Sequence, residues 1–428
     1  MQTSLADFIK DTAEGQEADA ILRSCVHCGF CLAVCPTYQL LGDELDSPRG
    51  RIYLMKQVIE GAPVTEKTQL HLDRCLTCRA CETVCPSGVR YGRLIDIGRG
   101  IVEKKVGRGL AAVTMRYALR QTLARPGVVA ALLKLGRTAR PILPGALKNS
   151  IALLKHEASF GESLDYWPAV RHLRKMLVLE GCVQPSLAPG INASTARVFD
   201  RLGISLIKAP DAGCCGALSY HLNAQQEGLD YMRRNVDAWW PYVRQGGVEA
   251  IVMTASGCGV TVKEYGHLLR HDPVYAEKAA RVSELTRDIS EVLEAEAPLL
   301  ASLFDQFSQR KKGDKLAFHS PCTLQHGLRI RGVVEKILTA TGFELTDVPD
   351  AHLCCGSAGT YSILQPELSQ QLLKNKVAAL QSGVPERIAT ANIGCLMHIR
   401  SGTQLPIAHW IELLDEKLRD MDEHEHAP

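Results

Sequence analysis

The stretch DAGCCGALSY, Asp211 to Tyr220, sets Cys214 and Cys215 side by side, and the pair recurs 140 residues later as Cys354 and Cys355. A disulfide between sequence neighbours strains the geometry that S–S bonds prefer, so adjacent thiols point to metal ligation, redox chemistry or a buried structural pair. Working outward, the repeat grows. Cys182, Cys214, Cys215 and Cys258 form one set and Cys322, Cys354, Cys355 and Cys395 a second; the 140-residue shift superimposes the first three and misses the fourth by three. Self-similarity over that length indicates a duplicated domain rather than a solenoid.

The segments around these cysteines are short β-rich runs alternating with helical stretches. KMLVLEGC, GISLIKAP and EAIVMTASGC have counterparts in KLAFHSPC, GFELTDVP and RIATANIGC, each at the matching place in its copy. AQQEGLDYMRRNVDAWWPYV and LSQQLLKNKVAALQSG read as helices between them. The pattern predicts two α/β lobes with parallel strands. The cysteines then sit at strand ends or in the loops that follow, where ligands of such sheets bind.

The other eight cysteines fall at 25, 28, 31, 35 and 75, 78, 81, 85, two copies of one spacing 50 residues apart. CVHCGFCLAVCP and CLTCRACETVCP both fit C-x2-C-x2-C-x3-C-P, the run that holds [4Fe–4S] clusters in bacterial ferredoxins. Three thiolates two residues apart wrap a tight turn around one cluster, and the fourth reaches the other. Cys25, Cys28, Cys31 and Cys85 are thus expected at one cluster, and Cys35, Cys75, Cys78 and Cys81 at the other. Paired zinc sites are the competing reading, but four-coordinate zinc leaves the third evenly spaced cysteine and the following proline unexplained. Between the sets, Ser47 and Pro48 read as a helix start, Gly61 and Pro63 as its stop, and Thr65 as the cap of a second helix running into Arg74. Arg23, Arg49, Arg51, Arg74, Arg79, Arg90 and Arg93 lie near these cysteines. They either offset anionic cluster charge or form a solvated face.

The chain has 428 residues, 46% hydrophobic and 22% charged, with sixteen cysteines. It is globular, long enough for roughly two to four domains, and short of the roughly 8–10% cysteine of a disulfide scaffold. The N-terminus carries early acids and no apolar stretch of a signal peptide, so a reducing cytoplasmic location is expected. No run approaches a membrane-spanning helix, which leaves peripheral contact as the only expected membrane association. Net charge is +2, but from Ile101 to His156 eleven Lys and Arg face one acid, Glu103. This segment reads as amphipathic helices broken near Pro126, Pro141 and Pro144. It suits an anionic lipid surface, a docking face for a protein partner, or a solvated linker. A nucleic-acid partner is not expected.

With both cysteine systems in view, the chain resembles a known family. The paired CCG blocks resemble the duplicated cysteine-rich CCG domain of heterodisulfide reductase catalytic subunits, glycolate oxidase iron–sulfur subunits, lactate-oxidising complexes and the third subunit of anaerobic glycerol-3-phosphate dehydrogenase. SPRGR at Ser47–Arg51 and EGCVQ at Glu180–Gln184 most resemble glycolate oxidase iron–sulfur subunits. The resemblance covers nearly the whole chain. It implies an α+β multidomain protein with a helical di-cluster ferredoxin domain (1–100), a basic helical linker (101–170) and two pseudo-twofold-related CCG domains (171–312 and 313–428). It further implies electron transfer from a flavoprotein's oxidation of glycolate towards the quinone pool, at the cytoplasmic face of the inner membrane. The flavin would reside on the dehydrogenase subunit and an accessory flavin-type subunit, in keeping with the lack of a G-x-G-x-x-G motif here.

In the heterodisulfide reductase branch the resemblance implies a fifth cysteine per repeat, closing a C-x2-C. Thr261 and His398 stand at those positions, which argues against a disulfide-cleaving cluster and leaves the imidazole of His398 as a candidate ligand. The candidate ligands of one or two further clusters are therefore Cys182, Cys214, Cys215, Cys258, Cys322, Cys354, Cys355, Cys395 and His398. The same role in D-lactate or glycerol 3-phosphate oxidation, and a thiol–disulfide enzyme at the CCG site, are the alternatives.

Overall fold

A computed structural model describes residues 1–139, 166–305 and 314–425. The N-terminal block is helical. Thr12 caps the helix Ala13–Ser24 by accepting from the Gly15 amide. Ser47 does the same for Pro48–Ile59 through Gly50, and Thr65 for Glu66–Asp73 through Thr68. Each side chain satisfies one of the orphan amides of a first turn. Gly61 ends the second of these helices at φ +93°. The longer helix Tyr91–Lys105 closes the block, and Leu22, Met55, Ile59, Leu72, Leu94 and Ile95 form its dry centre. The expected Ser47 start, Gly61 stop and Thr65 cap are all present.

Two four-stranded parallel sheets follow. The first contains β1 (Arg174–Val178), β2 (Ile204–Lys208), β3 (Ala250–Met253) and β4 (Thr286–Asp288), in the order β2-β1-β3-β4. The second repeats it with β5 (Lys315–His319), β6 (Glu344–Leu345), β7 (Arg387–Thr390) and β8 (Ile407–His409), in the order β6-β5-β7-β8. The three strands expected per lobe are there, and a fourth extends each sheet. Crossovers leave the first strand of each sheet in opposite directions, so a crevice opens beyond the carboxyl ends of β1 and β3, and again beyond β5 and β7. Every CCG cysteine lies in that direction: Cys182 follows β1, Cys214 and Cys215 follow β2, and Cys258 follows β3, with the same placement in the copy.

The lobes meet through exchanged equivalents. The helix Gly190–Arg201 of the first packs on Trp410–Glu425 of the second, and Ile289–Ala295 packs on Val333–Ala340. Each pair joins the helix after the first strand of one copy to the helix after the last strand of the other, which is a pseudo-twofold contact. One apolar core runs across it, with Phe199, Val198, Leu338 and Trp410 buried. Asp415 accepts from Arg197 at 2.7 Å and from Ser194 at 3.1 Å.

The basic segment begins as the helices Leu110–Leu123 and Pro126–Ala139, broken at Pro126 as expected. Pro141, Pro144, Arg140, Lys148 and Lys155 lie outside the described residues. Three of its arginines turn inward. Arg108 and Arg116 donate to Asp73 at 2.6 and 3.3 Å, and Arg120 donates to Glu227 at 2.8 Å. Those charges hold the helix pair to the body and do not form a free basic stripe. Among the described residues no helix is long and apolar enough to cross a membrane.

Candidate metal centres

In the helical block each triad bends through the left-handed region at the same two places. His27 and Gly29 have φ of 56° and 89°, and Thr77 and Arg79 have 52° and 61°. This curls three thiols around a common point. In the first motif Pro36 starts a new helix, with Cys35 as the cap of Pro36–Leu41, so Cys35 is carried away from its own triad. Cys25, Cys28, Cys31 and Cys85 line one cavity, and Cys35, Cys75, Cys78 and Cys81 line another. Cys81, Pro48 and Tyr91 border both, which makes the cavities neighbours. Amides point at sulfur: Thr77 N lies 3.4 Å from Cys75 Sγ and Val89 N 3.5 Å from Cys85 Sγ.

These thiols are poor places for bare negative charge. Burial, reinforced by neighbouring thiolates, pushes Cys31 up to about 11 and drives Cys78 and Cys81 well above the ordinary thiol range. Four soft sulfur donors around an enclosed space fit an iron–sulfur cluster, whose cationic iron compensates the charge that burial disfavours at Cys31, Cys78 and Cys81.

The arginines divide. Arg51 is 1% exposed and donates to the His71 carbonyl, Thr37 Oγ1 and Asp46 Oδ1, while Thr37 Oγ1 touches Cys35 Sγ at 3.3 Å. Arg79 and Arg93 are likewise withdrawn, whereas Arg23 and Arg90 are more than half exposed. Arg49 is partly exposed beside Glu44, and Arg74 pairs with the fully buried Asp46 at 2.8 Å.

In the first CCG lobe the thiols of Cys182, Cys214, Cys215 and Cys258 touch in sequence. Asn235 holds the loop by accepting from Gly213 N and donating to the Cys214 carbonyl, both at 2.9 Å. Tyr265 donates to the Cys215 carbonyl at 2.8 Å. The motif glycine is obligatory: at φ +88° a Cβ on Gly216 would lie 2.5 Å from the Gly228 carbonyl oxygen. In the second lobe Gly356, at φ +93°, stands equally close to the Ser369 carbonyl. There Cys322 and Cys354 sulfurs are 3.9 Å apart and Cys354, Cys355 and Cys395 continue the chain of contacts. Asn392 donates to Cys395 Sγ at 3.6 Å. All eight CCG cysteines therefore gather into two sets of four.

The two residues at the fifth-ligand positions have other partners. Thr261 donates back to the Gly257 carbonyl at 3.2 Å, and His398 Nε2 meets Ser369 Oγ at 3.2 Å. A different histidine, missed in the sequence, stands in the second set. His319 at the end of β5 has a ring nitrogen within 4.8 Å of the sulfurs of Cys355 and Cys395. Its only sequence signal was position, in HSPC just ahead of Cys322, where the first copy has Leu179.

The two lobes approach the helical block differently. Cys78 packs with Cys322, Cys354, Leu76, Tyr361 and Leu372 in one apolar cluster, and Tyr361 Oη donates to the Arg74 carbonyl at 3.1 Å. The second lobe's site thus borders the second ferredoxin cavity directly. The first lobe is joined by polar contacts: Arg79 to Glu264 at 3.0 Å, Arg270 to Glu17 at 3.0 Å and His221 to Asp96 at 3.0 Å. Despite its burial, hydrogen bonds from His267 and Arg93 hold the Glu17 carboxyl far below the usual range.

A family model described as a 4Fe-4S dicluster domain matches residues 21–89, and one described as a cysteine-rich CCG domain matches residues 176–263 and 316–400. The chain is 57% identical over 98% of its length, and 99% of the relative's, to the glycolate oxidase iron-sulfur subunit of Escherichia coli. It is 32% identical over 90% of its length to a probable glycolate oxidase iron-sulfur subunit of Bacillus subtilis, covering 89% of that chain. Lactate utilization protein A of Bacillus licheniformis is 26% identical over 55% of this chain and 97% of its own.

Proposed function

The chain belongs to the family of glycolate oxidase iron–sulfur subunits, and from that membership we propose that it carries electrons from a partner flavoprotein's oxidation of glycolate to glyoxylate towards quinone. It is an iron–sulfur subunit of an oxidoreductase. On this reading Cys25, Cys28, Cys31 and Cys85 hold one [4Fe–4S] cluster and Cys35, Cys75, Cys78 and Cys81 the other. The observation that carries it is the crossing of the two motifs: Cys85 joins Cys25, Cys28 and Cys31 at the first cavity, Cys35 joins Cys75, Cys78 and Cys81 at the second, and Cys81 borders both.

Bound there, such clusters supply one-electron transfer. The protein's own residues anchor them through thiolates, direct amides at sulfur and exclude water. Cys81 borders both cavities, which supports close spacing of the two centres. The flavin sits on a dehydrogenase subunit and an accessory flavin-type subunit. The acceptor is lipid-soluble quinone, reached from the cytoplasmic face of the inner membrane. Exposed Leu110, Val113, Leu132 and Leu135 on the helix pair support that placement.

The test is Cys31→Ser in the anaerobically purified complex. Glycolate-dependent reduction of dye or quinone is expected to be abolished while the subunits still co-purify, and full turnover would refute the route. D-lactate and glycerol 3-phosphate, assayed alongside with the native complex, are expected to be the poorer substrates.

A further inference from the structure

The two CCG lobes are not chemically equivalent, although their backbones repeat. His319 occupies the last position of β5, in register with Thr390 of β7, so its side chain is carried on rigid sheet and not on a loop. It is 1% exposed, and its Nε2 is buried with no hydrogen-bond partner. A buried polar atom left unsatisfied is costly and needs an explanation. The ring's neighbours supply one: a His319 ring nitrogen and the sulfurs of Cys355 and Cys395 all lie within 4.8 Å of one another. A metal with bonds of about 2.0–2.3 Å draws such a set together with a small inward movement.

Leu179 replaces this histidine in the first lobe, where no imidazole can serve at that position. A second difference points the same way. Seven residues after the residue whose carbonyl abuts the motif glycine, the first lobe has Asn235 and the second has Lys376. Lys376 is 3% exposed, its Nζ donating to the Asp350 carbonyl at 2.8 Å. A buried ammonium beside four gathered cysteines is the counter-charge that an anionic thiolate–iron unit requires.

We infer that the second lobe holds an iron centre of its own, ligated by Cys322, Cys354, Cys355, Cys395 and the Nε2 of His319. The inference rests on the iron–sulfur reading above and adds to it a nitrogen ligand and an asymmetry between the lobes. The second lobe's cysteines share an apolar cluster with Cys78, so this centre stands next to the second ferredoxin site.

The experiment is pulsed EPR with iron and acid-labile sulfide analysis on the full chain in its complex, prepared anaerobically with natural-abundance or 15N-labelled histidine. The native protein is expected to show, beside the ferredoxin signals, a paramagnetic centre with a strong histidine nitrogen coupling that changes on 15N labelling. His319→Ala should remove that coupling and lower the iron content while leaving the ferredoxin signals intact. His319→Cys should restore iron without the coupling, which separates ligation from a folding requirement. His398→Ala should leave the coupling in place. The inference is overturned if the native protein shows ferredoxin signals with no coupled nitrogen, if zinc replaces iron in the lobe, or if the coupling disappears with His398 and survives loss of His319. Absence of the ferredoxin signals themselves would instead count against the electron-transfer reading.

Discussion

Arg79 shows what a single position can carry in this protein. It takes the left-handed conformation that its counterpart Gly29 adopts freely, at φ 61° against 89°, and a residue with a Cβ loses about 1 kcal/mol by doing so. Its guanidinium offsets the strain by reaching Glu264 of the first CCG lobe, both side chains being mostly buried. Arg79→Gly should therefore lose only the ion pair, whereas Arg79→Ala should lose the ion pair and keep the strain. The alanine variant is expected to be less stable than the glycine variant by about 1 kcal/mol in anaerobic denaturant unfolding. A double-mutant cycle with Glu264→Gln should return a coupling of about 0.5–3 kcal/mol. Equal stability of the two variants, with no coupling, would show that this turn neither stores strain nor fastens the lobe.

At the scale of elements, the last strand of each lobe and the helix it feeds act as one unit. β4 ends in Asp288, which caps Ile289–Ala295 while Glu291 folds back to the Asp288 amide. β8 ends in His409, whose amide donates to Glu412 at 2.9 Å. Glu291 has Lys263 beside it; Glu412 faces Gly190 across the lobe interface, where a Cβ would lie 2.9 Å from its carboxylate. Burial pushes the Glu412 carboxyl from 4.5 up to about 7. The folded state then binds more protons than the unfolded chain, so this residue's contribution is fully present below pH 4.5 and is lost as pH rises through about 7. Glu412→Gln keeps an acceptor for the His409 amide and removes the charge. Its melting temperature should rise relative to the native protein at pH 7.5 and match it at low pH, so the stability-against-pH curve flattens. An unchanged slope would mean that the carboxyl is ionised at no cost in the interface.

Across the whole molecule, the helical block sits against both lobes, by ion pairs on one side and by the apolar contact of Cys78 with Cys322 and Cys354 on the other. The helix pair Leu110–Leu123 and Pro126–Ala139 extends from this body. Because Arg116 and Arg120 are committed to Asp73 and Glu227, neutralising them would loosen the helices rather than test a surface. The informative change is Leu132→Gln with Leu135→Gln, two residues 51% and 64% exposed. The native complex should co-sediment with vesicles containing anionic lipid and the double variant should remain in the supernatant, with glycolate-dependent dye reduction unaltered. Equal sedimentation of both would remove this helix pair from the membrane contact.

Cysteine spacing, the helix caps and the duplication were all legible in the sequence, because each depends on residues close together in the chain or on a repeat that can be counted. The fourth strands were not: Thr286–Asp288 and Ile407–His409 are three residues each, too short for any alternation to register, and they exist because β3 and β7 offer them hydrogen bonds. Nor could sequence alone distinguish His319 from other histidines or say which lobe adjoins the ferredoxin cavities. Those relations join side chains far apart in the chain. They arise only when parallel strands bring their carboxyl ends to one crevice and the pseudo-twofold contact turns one of the two lobes towards Cys78.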